Sequence, residues 1–565
     1  MWCYHKLQEV PFLNPSRQQQ ALARFTASVA TAFLVAVCCA FPLYIDRFSN
    51  LGLVKFSGVF VLLLGFSLML GACAAIGARP APGRLSSRSG GLLSLAAFVV
   101  ASTVSTCVSL QPLASVWGLG SYYGGWMLVL LTAVGYVGAR AFTALKDLDF
   151  VFFGIGVTSS AAVVLYVLNI FNIDLIGAYA KTAVVERAQF FSTLGQKDFC
   201  GGFFALALPI VFYAYLHAEG PRRTALYAVP MVFGALAMAV VDAEALTLGI
   251  VAAAMILVCH RDFTTRTVRR GAWIGISFFL CAGWMHLMRA SVYTQGGRSL
   301  LSRFGDWDLA VPGTLFCLAV WAGLRWRAWR GRPEVSLCRL GRVLTAVTLT
   351  AVSALFLAAT FVPGFPSLGA LDNFFKFNDD WGTYRGVAWK AAFAAWWDAP
   401  LWRKLLGYGP GTFHEVIAAW AGDAMTARLN TFYAAHSEYI EQLLSTGLLG
   451  LAAWGAFLFF HLRRGFAGWY RPYAAPVLLA LCSYLVQAAV SIRVSMLFPL
   501  VMLLFGVLAA ATAPQPPARP EAPAAPPRKT PAPRPGLRYA QITLAAVVAM
   551  ALCAPLSRAL LWFLF

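Results

Sequence analysis

The chain has 565 residues, 60% of them hydrophobic and only 12% charged, with a formal net charge of +21. A soluble domain carries about 25% charged residues, so the composition excludes an ordinary water-soluble fold. The positive charge is spread over short connections between apolar runs, a pattern of membrane orientation and not of nucleic-acid binding.

Apolar runs fall near 24–45, 51–77, 91–110, 123–143, 150–171, 199–216, 224–241, 243–259, 271–288, 309–324, 343–362, 438–461, 474–492, 495–512 and 540–565. They predict an all-α fold, a polytopic integral membrane protein with about 12–15 transmembrane helices. The first run lacks a clear small-residue cleavage site and reads as a retained anchor. The pairs 224–241/243–259 and 474–492/495–512 have tight connections. The second pair could instead form one re-entrant hairpin, which would flip the last segment.

With Lys6, Arg17 and Arg24 placed in the cytoplasm, every even-numbered connection is basic. These carry Arg79/Arg84, Arg140/Lys146, Arg222/Arg223, Arg261 to Arg270, Arg325 to Arg342 and Arg463/Arg464/Arg471. The odd-numbered connections, at 46–50, 111–122, 172–198, Asp242, 289–308, 363–437 and Arg493, are less basic and should face outward. The organisation expected is N-terminal membrane helices over 1–110, then a membrane core over 111–512 with its large outward loop at 363–437. A Pro/Ala-rich linker over 513–538 and a last helix over 539–565 complete it. The twelve cysteines include no Cys-x-x-Cys pair and lie mostly inside apolar runs, so they read as small buried hydrophobes. No phosphate-binding loop, His-Glu-x-x-His or dinucleotide fingerprint occurs, so nothing supports an ATP-driven or zinc-driven reaction.

The stretch from Gly407 to Gly450 is a polar, aromatic island. At 100° per residue, His436, Tyr439, Leu443, Gly447 and Gly450 share one stripe of a helix that His436 opens. The glycines would admit a neighbouring helix, and the histidine at the water end suits proton transfer. A lone histidine at a helix start is more often structural, and Glu438 points too far round to be its partner. Segments 384–397 and 414–421 read as amphipathic interfacial helices. The aromatic rings of this loop serve either an interfacial belt or sugar stacking. Upstream, Arg187, Lys197 and Asp198 precede a helix starting near Phe199, an anion site or an interfacial anchor. Arg298 and Arg303 lie on a third outward loop, and the turn 111–126 is a fourth candidate.

These residues resemble the O-antigen ligase and O-antigen polymerase family of bacterial inner-membrane glycan transferases. AAHSEYIEQLLSTGLLGLAAWG (434–455) is similar to its His-Asn segment followed by Gly-x-x-Gly. TYRGVAWKAAFAAWWDAPLWRKLLGYGPGTF (383–413) and RAQFFSTLGQKDFCGGFFALALPI (187–210) resemble its two arginine-bearing segments. The resemblance implies transfer of a polyprenyl-pyrophosphate-linked glycan donor to a lipid-core, glycan or protein acceptor, with membrane lipids as surroundings and no nucleic acid or cofactor. It implies that His436 is the base, and that Arg187 and Arg385 hold the pyrophosphate, with Lys197, Arg298, Arg303 and Tyr439 as further substrate contacts. It implies a multi-pass protein of the bacterial inner membrane. Ser437 departs from the family's usual Asn, Gln196-Lys197-Asp198 from its Asn-Pro-Asn turn, and 240–249 lacks its Ser-Arg pair. Alternatives are a repeat polymerase or protein O-oligosaccharyltransferase of the same family, a non-enzymatic lipid-linked glycan flippase, or a membrane scaffold.

Overall fold

The computed structural model describes residues 15–86, 89–118, 122–292, 294–420, 432–514 and 535–564. The helices are α1 (Pro15–Val35), α2 (Leu51–Ala75), α3 (Gly90–Cys107), α4 (Pro112–Trp117), α5 (Trp126–Phe142), α6 (Leu148–Ile170), α7 (Lys197–Leu216), α8 (Gly220–Val240), α9 (Glu244–Cys259) and α10 (Thr265–Ser291). They continue as α11 (Trp307–Trp329), α12 (Cys338–Phe361), α13 (Asp372–Phe375), α14 (Trp381–Asp398), α15 (Leu401–Leu406) and α16, described over 413–420. The last are α17 (Glu438–Ala467), α18 (Ala474–Ala488), α19 (Phe498–Ala511) and α20 (Pro535–Leu564). Eleven helices among the described residues are long and apolar enough to cross a membrane, and four shorter apolar helices accompany them. Each apolar run read from the sequence falls on one of these, so the protein is an all-α, multi-pass membrane protein. A two-residue hairpin, Phe190–Phe191 against Gly195–Gln196, is the one sheet among the described residues.

Two of the short helices, α18 and α19, sit innermost. α18 packs against α7 and α9, and α19 against α5; nearly all their residues are buried. Sheathed by protein, they need not match bilayer thickness. α17 lies along α3, so the core draws on both ends of the chain. α11 and α12 are peripheral and expose apolar residues such as Leu315 and Phe316, as lipid-facing helices do.

Hydrogen bonds join the connections in two separate sets. Phe48 N–H donates to the Ala178 carbonyl, Leu110 N–H to Tyr408 and Gln295 N–H to Ile170, while Lys197 pairs with Asp242. These are all odd-numbered connections. Among the even-numbered ones, Arg223 pairs with Asp149, Tyr473 donates to Asp149, Trp469 donates to Asp262 and Leu337 N–H donates to Phe263. The two sets mark the two ends of the bundle.

The last helix begins at the basic end. Arg538 grips Asp147 with Nη1 and Nη2 at 2.9 and 2.7 Å, and Thr31 donates to the same carboxylate at 2.9 Å. α20 therefore recrosses beside α1 and α2. It starts at Pro535 and not at 539. Proline at a helix start loses no needed N–H, which explains why the polyproline-like reading overran. Most of the predicted linker lies outside the described residues, as does Lys6.

Lys55 was not anticipated: it is only 2% exposed within α2. α1 ends in a π-turn and a 3₁₀ turn through Pro42, which frees carbonyls. Lys55 Nζ takes those of Phe41 (3.4 Å) and Pro42 (3.0 Å), and Thr193 Oγ1 also donates to Pro42 (2.8 Å). All described cysteines are free, but Cys107, expected to be buried, is exposed at the end of α3.

Candidate functional site

His436 does not open the helix. α17 starts at Glu438 with Ser437 as its N-cap, whose side chain accepts from Ile440 N–H at 3.5 Å. Serine caps a helix about as well as asparagine, so the departure at 437 keeps the cap. His436 precedes it with a left-handed φ of 51°. The predicted stripe also breaks further on. Gly447 has φ 64° and ψ −170°, a conformation that favours glycine, and it kinks α17. The carbonyls released there are taken: Tyr408 N–H donates to Leu444, and Gly409 N–H and Ser105 Oγ donate to Ser445. A Cβ on Gly447 would sit 2.3 Å from the Leu405 carbonyl oxygen. The glycine does admit a close neighbour, but that neighbour is α15 and not a membrane helix.

The backbone beside His436 is held from both sides. Ala435 N–H donates to Glu441 Oε2 at 2.9 Å, and Trp389 Nε1 donates to the Ala435 carbonyl at 2.8 Å. The imidazole meets the Phe432 ring edge-on at 5.0 Å. Burial first, and the Arg385 cation second, together push its pKa down to about 4. The ring is thus neutral near pH 7, with a guanidinium close by.

Arg385 follows three left-handed residues, Gly382, Thr383 and Tyr384. Its Nη1 donates to the Gly382 carbonyl at 2.9 Å, and its Nη2 lies 3.6 Å from Asp198 Oδ2. Its Nε is buried and unpartnered among the described residues. Asp198, in the first turn of α7, extends the neighbourhood to Tyr122. The Tyr122 phenol has its pKa raised by burial first, then by Asp198 and Tyr433. Described residues of the three segments 111–126, 181–202 and 363–437, expected from the sequence to face outward, therefore converge.

The other expected residues are placed differently. Arg187 stacks over the Tyr179 ring at 5.3 Å, with a buried, unpartnered Nε. No hydrogen bond or ion pair joins it to His436 or Arg385 among the described residues. Lys197 Nζ is paired with Asp242 at 2.9 Å. Arg298 pairs within its own loop with Asp306, which His286 also meets at 2.9 Å; Arg303 is exposed. Tyr439 donates to the Leu485 carbonyl at 2.8 Å and so ties α17 to α18.

Sequence reasoning gave no site role to Glu441 or to Arg493, which it named only as an outward turn, and it set Glu438 aside as a partner of His436. Glu438 is 3% exposed, accepts from the Tyr484 hydroxyl and lies 3.6 Å from Arg493 Nε. Arg493 spans the α18–α19 connection and covers the Phe498 ring at 4.4 Å. A cleft beside the kink is lined by Arg493, Glu441, Gln442, Thr446, Pro410 and Gly411. A lone arginine between two short apolar helices was the available signal. Among the described residues no cluster of His, Cys, Asp and Glu is arranged to hold a metal ion.

A neutral imidazole can accept a proton from a hydroxyl, and a guanidinium beside it can stabilise a departing phosphate oxygen. The sequence model of the O-antigen ligase family matches residues 309–455, which include both Arg385 and His436. Compared with curated proteins, the chain finds no match. The protein is a multi-pass membrane protein that carries, over 309–455, a glycan-processing domain of the O-antigen ligase family.

Proposed function

We propose that the protein transfers a polyprenyl-pyrophosphate-linked glycan to an acceptor hydroxyl at the outer face of the bacterial inner membrane, without metal or nucleotide. The observation that supports this most is the neutral His436 beside Arg385, both inside the family match. In the step, the acceptor hydroxyl gives its proton to the His436 imidazole and its oxygen attacks the anomeric carbon. The bond from that carbon to the pyrophosphate oxygen breaks, and the electron pair leaves on the pyrophosphate. A hydroxyl is a poor nucleophile without a positioned base, which is the role of His436. Arg385 meets the developing charge with its unpartnered Nε and its loosely held Nη2. Arg187 holds the distal phosphate as the donor closes the gap between the two arginines. Ligation to a lipid core is the form favoured, with polymer and protein hydroxyls as other acceptors of the same step.

The test is to replace His436, Arg385 and Arg187 by Ala, one at a time, in a host lacking its own copy. The expected result is loss of glycan transfer at normal protein level, with lipid-linked donor accumulating on the outer face. Undiminished transfer in His436→Ala overturns the base assignment. Accumulation of donor on the cytoplasmic face points instead to a flippase.

A further inference from the structure

At the end of the bundle opposite His436, arginines converge with no acid between them. Arg140, in the last turn of α5, is only 1% exposed. Its Nε donates to the Arg84 carbonyl at 2.5 Å, Nη1 to the Tyr136 hydroxyl at 2.8 Å and Nη2 to Ser89 Oγ at 2.9 Å. His461 Nδ1 lies 2.7 Å from the Phe457 carbonyl and must donate to it. Its Nε2 lies 2.7 Å from the Tyr136 hydroxyl. An imidazole, neutral or protonated, cancels none of the positive charge.

One turn further along α17, Arg464 Nη2 donates to the Thr512 carbonyl at 3.1 Å, and Arg471 Nη1 donates to that of Ala513. Arg84 reaches the carbonyls of Thr143 at 2.6 Å and Ala141 at 3.4 Å. Every acceptor is neutral. Among the described residues, none of these four arginines forms an ion pair. Arg464 is within electrostatic reach of both Arg140 and Arg471. Helix C-termini welcome cations, but their carbonyl dipoles do not remove net charge, and like charges half out of water repel. Arg471 is exposed and Arg464 half-buried, so an anion can reach both.

We propose that Arg464 and Arg471, with Arg140 behind them, bind the phosphate of an anionic phospholipid from the cytoplasmic leaflet. The site lies where α5, α17 and α19 end, at headgroup depth. On α17 the partly exposed Phe460, one turn before Arg464 on the same face, offers an adjoining apolar surface for an acyl chain. A free phosphate shares the chemistry but has no use for that surface.

The experiment measures melting of the full-length protein in mild detergent with phosphatidylglycerol, phosphatidylcholine or inorganic phosphate added, and retained lipid by native mass spectrometry. Phosphatidylglycerol is expected to raise the melting temperature and remain bound, while phosphatidylcholine does neither. The double variant R464Q/R471Q should lose both effects. R325Q/R330Q, at the equally basic end of α11, should keep them. Glutamine still donates to the Thr512 and Ala513 carbonyls; if the double variant does not fold, R471Q alone is read for a reduced shift. Equal responses to the two lipids, or a full shift in R464Q/R471Q or in R471Q, overturn the proposal. An equal response to inorganic phosphate overturns the lipid as source.

Discussion

His436 is steadied through its neighbour. Ala435 is gripped at its N–H by Glu441 and at its carbonyl by Trp389, so the left-handed turn carrying the imidazole has few other arrangements. Replacing Glu441 by Ala leaves that N–H without its acceptor, at a cost of about 1–3 kcal/mol. Glu441→Gln keeps an oxygen there, so transfer should survive in Gln and fall in Ala, with donor KM unchanged in steady-state assays. His436→Ala should lower the transfer rate by roughly 10² to 10⁴, the usual worth of a positioned base. The sign of the pH effect follows from the lowered pKa. The proton-accepting form persists as pH falls until about 4, so the acid limb of transfer lies near pH 4. Burial is the first cause and Arg385 the second; Arg385→Gln removes the second and should move that limb upward in initial-rate profiles. His436 and Arg385 were legible as residue types in short motifs. Glu441 was not, because its role depends on a turn that reaches back six residues from it.

The element that decides the site's shape is the interrupted α17. Its apolar run is periodic throughout, and periodicity cannot register a kink whose freed carbonyls are satisfied from residues 105, 408 and 409. Only the glycines hinted at it. Gly447→Ala forces a side chain into a glycine conformation, at about 1–3 kcal/mol, and against a carbonyl oxygen at 2.3 Å. Thermal melting should fall accordingly, and the Gly407–Gly409 segment should become more open to proteolysis. Gly455→Ala, with nothing within 4 Å of the added carbon, is the neutral control.

Across the whole molecule, alternation of basic and non-basic connections was the most legible feature, because every loop votes. The hydrogen bonds between loops sort the same way. The convergence of α7, α14 and α17 on one spot was not legible, since it depends on pairings far apart in sequence. Nor was the clasp on the last helix. Arg538→Gln strands the Asp147 carboxylate, which is 1% exposed, and breaking such a pair from one side costs about 3–5 kcal/mol when both groups are buried. Arg538 is partly exposed, so the loss should fall at the low end. Asp147→Asn with Arg538→Gln should recover part of it in the same melting assay.

The 15 residues of α18 and 14 of α19 rise about 22 and 21 Å, against a hydrocarbon layer of about 30 Å. Their basic ends are level with the other helices, where Tyr473 meets Asp149 and Arg471 meets Ala513. The shortfall therefore lands at the opposite end, where the connection 489–497 makes it up and sets Arg493 against Glu438, the first residue of α17. Two helices too short to span the bilayer alone thus leave room for a folded turn, and that turn delivers a cation to the helix that carries the kink.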